Sequence, residues 1–202
     1  MEFFVYCRDR ADSGELREAL AEAHWSYMDT YASAMIGRGP TLTQDGSAAT
    51  GSLHIVDLPD RTAADRFAYE EPNYQAGIYR DVLIRRWHNA LGRTMWDYAD
   101  AVPGYRRFLL IGHARDGAAG APHALRDAWR AYLAAPSHQD RLILAGPLWS
   151  DTGAEWLGTS ALVELPDAGA AEALLREDPY GQADLYGRVE VHYWRFGGRE
   201  AS

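Results

Sequence analysis

The chain repeats itself. Sliding the 202-residue sequence along itself by 107 positions lays Arg8-Asp9 on Arg115-Asp116, Gly39-Pro40 on Gly146-Pro147, Gly46 on Gly153 and Gly51 on Gly158. The match continues without a gap through Leu58-Pro59-Asp60 on Leu165-Pro166-Asp167, Pro72 on Pro179, Gln75-Ala76 on Gln182-Ala183, Tyr79 on Tyr186 and Trp87 on Trp194. These are mostly glycines, prolines, aspartates and aromatics, the residues that set turns, cap helices and anchor cores. Such a chain has to fold as one pattern twice over. The boundaries read as 1–90 for the first copy, 91–104 for a linker containing Asp100-Ala101-Val102-Pro103-Gly104, and 105–198 for the second copy.

Both copies give the same order of elements. Phe3-Phe4-Val5-Tyr6-Cys7 reads as a short apolar strand, matched by Phe108-Leu109-Leu110-Ile111. Asp12-Ser13 is placed to cap a helix in which Leu16, Leu20, Ala23, Tyr27 and Tyr31 recur at helical spacing. In the second copy Pro122 suits the first turn of a helix that runs to about Ala135. A strand then ends near Gly39-Pro40, and a second covers Ser52 to Leu58. Asp60 caps a helix that stops before Pro72, and Val82 to Trp87 forms the last strand. The order βαββαβ is that of a ferredoxin-like unit. Its helices cover one face of the sheet and leave the other in need of cover. The sequence therefore predicts an α+β fold of two tandem ferredoxin-like units, packed sheet to sheet as an intramolecular dimeric α/β-barrel.

Composition removes several classes of function. A net charge of −9 opposes approach to phosphate backbones, so no nucleic-acid partner is expected. All 20 basic residues are arginine, which excludes lysine Schiff bases, lysine-linked pyridoxal phosphate and a phosphate-loop lysine. The bias to arginine, alanine and glycine is associated with GC-rich bacterial genomes. Cys7 is the one cysteine and forms no internal disulfide. The seven histidines form no HxH or HxxxH pair, so no metal site is expected. There is no GxSxG elbow, and Gly37-Arg38-Gly39-Pro40 ends a strand without opening a helix, so it is not a phosphate loop. The sequence has no apolar run of membrane length and no basic leader, so a cytoplasmic protein without a membrane partner is expected.

Several pieces carry a family likeness when taken in order. In the first copy they are Arg17 and His24 on the first helix, Gly39-Pro40, Gly51-Ser52, Glu71-Pro72-Asn73-Tyr74 and Ala76-Gly77. In the second they are Leu144-Ala145-Gly146-Pro147, Gly158-Thr159 and Asp178-Pro179-Tyr180. With these pieces each half resembles the YCII (YciI-like) family of the dimeric α/β-barrel superfamily. The resemblance implies a histidine on the first helix, paired with an aspartate that precedes the proline after the second helix. Carried over, the catalytic pair is His24 with Glu71, glutamate standing where aspartate is usual. In the second copy Asp178 supplies the carboxylate, but Ala131 stands at the histidine position, or Trp129 if there is a local insertion. Neither moves a proton, so the first copy is expected to hold the site. A hybrid of His24 with Asp178 is the alternative arrangement.

The residues themselves support the pairing. His24 lies between Leu20 and Tyr27 and so faces or borders the sheet. A carboxylate beside a partly buried imidazole fixes which nitrogen carries the proton, which suits general acid–base work. The plain alternative is a core histidine satisfied by one hydrogen bond. Arg17 is a candidate for an anionic substrate group, or a solvated surface arginine. Arg38 joins it as a substrate-binding candidate. Tyr6, Trp25 and Tyr74 are candidates for an aromatic pocket, or ordinary core. His113 falls on Tyr6 and, with Asp178, is a second-copy candidate.

These features predict a small enzyme without a cofactor, with His24 as acid or base and Glu71 orienting it. Elimination, isomerisation, cyclisation and decarboxylation suit one imidazole. The resemblance extends to a dehydrochlorinase acting on a hydroxylated aromatic ring, and in the wider superfamily to polyketide cyclases and muconolactone-type isomerases. It implies an aromatic or polyketide-like substrate from secondary metabolism or aromatic catabolism. The alternatives are a cofactor-free monooxygenase of the same superfamily and a non-catalytic ligand-binding or accessory module. A monomer with an internal pseudo-twofold and a homodimer both fit the sequence.

Overall fold

The computed structural model describes residues 1–99, 101–118 and 122–199; Asp100 of the expected linker lies outside them. The chain forms two compact units. The first is Met1–Arg86 with the C-terminal segment from Arg195, and the second is Trp87–Trp194. Among the described residues no helix is long and apolar enough to cross a membrane.

In the first unit, β1 (Glu2–Asp9) pairs antiparallel with β3 (Ala49–Asp57) on one side and β4 (Tyr79–Trp87) on the other. The strand β2 (Met35–Leu42) pairs with the far side of β3, which gives the order β4-β1-β3-β2. Side chains alternate across the sheet. Phe3, Val5, Cys7 and Val56 face the helices and pack with Met28, Phe67 and Ile78. The helical layer consists of α1 (Gly14–Ala19), α2 (Ala21–Asp29), α3 (Arg61–Tyr69) and α4 (Pro72–Gln75). Asp60 caps α3 as expected and accepts from the Ala63 N–H at 2.8 Å.

Two local expectations are corrected. The first helix is not continuous but breaks at Leu20, and Ser13 makes no side-chain cap bond, its hydroxyl donating instead to the Arg10 carbonyl. The apolar period runs straight through the break, but α1 buries no side chain, so the core does not hold it in line with α2.

The second unit repeats the plan. Its sheet, β8-β5-β7-β6, is built from β5 (Arg106–Ala114), β6 (Leu142–Trp149), β7 (Trp156–Leu165) and β8 (Tyr186–Trp194). Its helices are α5 (Pro122–Leu133), α6 (Pro136–Gln139), α7 (Ala168–Glu177) and α8 (Pro179–Gln182). The fold class is therefore α+β with two ferredoxin-like units, as read from the sequence. The repeated glycine at 51 and 158 has a steric cause: a Cβ there would lie 2.5 Å from the Cys7 carbonyl oxygen and 1.9 Å from that of Gly112.

Beyond β8, Arg195 N–H donates to Pro40 O and Gly197 N–H to Arg38 O, so the C-terminal segment runs along β2. Within the second unit, which begins at Trp87, the Ala90 N–H donates to Ala145 O, and Trp87 Nε1 donates to Ser160 Oγ at 2.9 Å.

Candidate active site

The site begins with a proline. Pro72 cannot continue α3, and it holds Glu71 in the extended region (φ −72°, ψ 146°). From there the Glu71 side chain turns back to cap α4, accepting from Tyr74 N–H at 3.1 Å and Asn73 N–H at 3.2 Å. A third bond joins Glu71 Oε2 to His24 Nδ1, on α2, at 2.9 Å. The Glu71 side chain is 2% exposed and that of His24 12%. An ionised carboxylate only accepts, so Nδ1 carries the proton and, in the neutral ring, Nε2 keeps its lone pair. The glutamate spans the cap and the imidazole together.

A cavity of about 840 Å³ opens beside this pair, lined by His24, Trp25, Arg17, Arg38, His54 and Asn73 and closed along one side by Arg195 to Arg199. His54, on β3, is buried; its ring centroid lies 5.7 Å from that of His24 and 5.5 Å from that of Phe67. Burial, with the nearby Arg38 and Arg17 charges in support, pushes its pKa well below the ordinary value, which favours the neutral ring. Its Nδ1 is buried without a partner among the described residues. Asn73 donates from Nδ2 to Tyr79 Oη at 3.3 Å, while its Oδ1 is buried without a partner among the described residues.

Arg17 lines the cavity, but its guanidinium is engaged by the protein. Nη1 donates to both Asp9 oxygens at 3.0 and 3.1 Å, and Nη2 to Ser52 Oγ at 2.6 Å. Burial raises the Asp9 pKa despite the opposing Arg17 charge. Arg17, a candidate for an anionic substrate group, is thus tied to β1 and β3 while it lines the cavity, and it is not a solvated surface arginine. Arg38 lines the cavity and bonds Asp29 at 3.4 Å. Trp25 lines it beneath the Arg199 guanidinium, 5.8 Å from the ring centroid. Tyr6 lies on the other face of β1, its hydroxyl 3.2 Å from Thr41 Oγ1, and Tyr74 packs on Tyr69 at 4.8 Å; neither lines the cavity.

The sequence reading missed His54, Asn73 and the C-terminal wall. For His54 a signal existed: the shift that sets His24 against a non-histidine also sets His54 against Ala161. The wall had none, because its contacts join residues far apart in the chain.

In the second unit the equivalent space is filled. Trp129 lies 5.7 Å from Tyr180, and Trp156 lies 4.9 Å from Tyr180 and 6.0 Å from Tyr186. Under the 107-residue shift Trp156 stands at Ala49 and Tyr180 at Asn73. Asp178 accepts from Gly181 N–H at 2.7 Å, from Tyr186 Oη at 2.8 Å and from the Trp129 side chain. Burial, which these hydrogen bonds oppose, raises its pKa to about 6. Trp129, not Ala131, thus takes the place beside the carboxylate, and Asp178 is held inside its own unit rather than by His24. His113 bonds Glu190 at 2.6 Å, with Arg188 at 3.1 Å. Among the described residues no group of three or more histidines, cysteines or carboxylates is placed to hold a metal.

The molecule is thus a tandem of ferredoxin-like units in which one carries a histidine–carboxylate cavity and the other an aromatic plug. The YCII-related domain matches residues 1–88 and again 106–195, so the chain belongs to the YCII-related family and carries its domain twice. No curated protein matches it. Among solved structures, the 5-chloro-2-hydroxyhydroquinone dehydrochlorinase of Burkholderia phenoliruptrix AC1100, in complex with 2,5-dihydroxybenzoquinone, is 27% identical. The match covers 44% of this chain and 94% of that one, with a TM-score of 0.41. Chlorite dismutase of Candidatus Nitrospira defluvii is 9% identical over 96% of this chain and 91% of its own, with a TM-score of 0.58, a likeness of fold.

Proposed function

We propose that the first unit is a cofactor-independent acid–base catalyst acting on a small aromatic or polyketide-like molecule by elimination, isomerisation, cyclisation or decarboxylation. The observation that carries this reading is the 2.9 Å bond from His24 Nδ1 to a Glu71 carboxylate fixed by two backbone N–H groups. Such a carboxylate holds the imidazole in one tautomer and offsets the charge that develops when Nε2 takes a proton. Nε2 has no protein partner among the described residues, and His24 lines a cavity of a size suited to a small ligand. The neutral His54 ring adds a polar group that does not compete for the proton.

The test is a panel of hydroxylated aromatics and β-dicarbonyl compounds, followed by mass spectrometry with wild type, His24→Asn and Glu71→Gln. The expected result is turnover of at least one compound that falls about 10²- to 10⁴-fold in His24→Asn. Turnover unchanged in that variant overturns the reading. Ligand binding without turnover of any compound favours a binding module.

A further inference from the structure

We propose that Arg195, contributed by the C-terminal segment, anchors the ligand of the first-unit cavity, and that this ligand is a hydroxylated aromatic carboxylate. The inference deepens the reading above by naming a substrate class, and it rests on that cavity being the substrate site. Although the chain carries a net charge of −9, the cavity is lined by four arginines, Arg17, Arg38, Arg195 and Arg199, against one carboxylate, Glu18. Three of the four are matched within the protein: Arg17 by Asp9, Arg38 by Asp29, and Arg199 by Glu22 and Asp29. Arg195 has no acidic partner among the described residues and is exposed where it lines the cavity. One unmatched guanidinium suits one negative charge, and its planar fork matches a carboxylate.

The inner wall indicates the rest of the ligand. Asn73 Oδ1 and His54 Nδ1 are buried, unpartnered polar atoms on residues that line the cavity. Such atoms are costly unless a ligand or water satisfies them. A hydroxyl donates to the amide oxygen and both donates to and accepts from a neutral imidazole, so hydroxyl groups fit both. Trp25, Met28 and Pro40 supply apolar wall for a ring between the hydroxyl end and the carboxylate end.

The experiment is isothermal titration calorimetry of the full chain with three probes: 2,5-dihydroxybenzoate, hydroquinone and benzoate. The expected result is that 2,5-dihydroxybenzoate binds most tightly. Arg195→Gln then weakens it by about 10- to 100-fold while hydroquinone binding changes less than about twofold. Arg195→Lys restores part of the loss. Binding is read by calorimetry and turnover by the mass-spectrometric panel, so a failure of catalysis and a failure of recognition are read separately. The proposal is overturned if wild type binds hydroquinone as tightly as the carboxylate, if Arg195→Gln weakens both probes equally or neither, or if no probe binds. Because Arg195 is exposed, an unchanged unfolding midpoint in Arg195→Gln assigns any loss to recognition.

Discussion

At Glu71 three donors converge on one buried carboxylate: the N–H groups of Asn73 and Tyr74 and the His24 imidazole. Removing the carboxylate leaves a short helix uncapped and an imidazole nitrogen unpaired. Glu71→Ala is therefore expected to lower stability by about 2–4 kcal/mol in urea titration. Glu71→Gln keeps an amide oxygen for the cap, so it is expected to lose about half as much. Equal stability of Glu71→Ala and wild type would contradict the geometry. This pair was legible through the family resemblance, which implies a histidine on the first helix and a carboxylate before the proline; the residues alone also allowed a core histidine. Arg17 was legible as a residue near the cavity, but its bonds to Asp9 and Ser52 were not, since these reach it from β1 and β3. Tyr6 was misplaced because it lies on the strand face opposite Cys7, and a continuous apolar run does not show which face meets the helices.

Among the elements, the caps and turns were easiest to read, because each is set by residues a few positions apart. Asp60 and Asp167 both cap their helices through the N–H three residues on, at 2.8 Å in each case. Loss of either, as in Asp60→Ala or Asp167→Ala, is expected to cost about 1 kcal/mol. The break at Leu20 escaped the sequence because apolar periodicity runs across it while packing does not. The aromatic plug of the second unit escaped for a different reason: Trp129, Trp156 and Tyr180 come from α5, β7 and α8 and meet only in the fold. Trp156→Ala is expected to cost about 3–5 kcal/mol by leaving a void. A loss below about 1 kcal/mol in denaturant would mean that the rings do not fill the space.

Across the whole molecule the repeats have diverged in chemistry while keeping one fold, and pH reports this with opposite signs. Asp178 has a folded pKa of about 6, above the ordinary value of 3.8, so the fold favours its protonated form. Its contribution to stability is complete below about pH 4 and is lost as pH rises through about 6, a change on the order of 3 kcal/mol. Buried neutral His54 acts the other way, its contribution being present above about pH 6.5 and lost as pH falls below it. Wild type should therefore lose stability relative to Asp178→Asn between pH 4 and 7, and relative to His54→Asn as pH falls from 7 to 5; parallel curves would contradict these assignments. The duplication and the two ferredoxin-like units were legible because turn residues recur at a fixed shift. The crossing of the C-terminal segment onto β2 was not, since no local pattern encodes a contact between Gly197 and Arg38. The account turns on His24, whose Nδ1 meets Glu71 at 2.9 Å and which we propose moves the proton. Long-range ¹H–¹⁵N NMR of the seven histidines, at a pH where their rings are neutral, tests it directly. The account predicts the Nδ1–H tautomer for His24, collapsing to a mixture in Glu71→Gln. An Nε2–H tautomer in wild type, or a spectrum indifferent to Glu71, would contradict it.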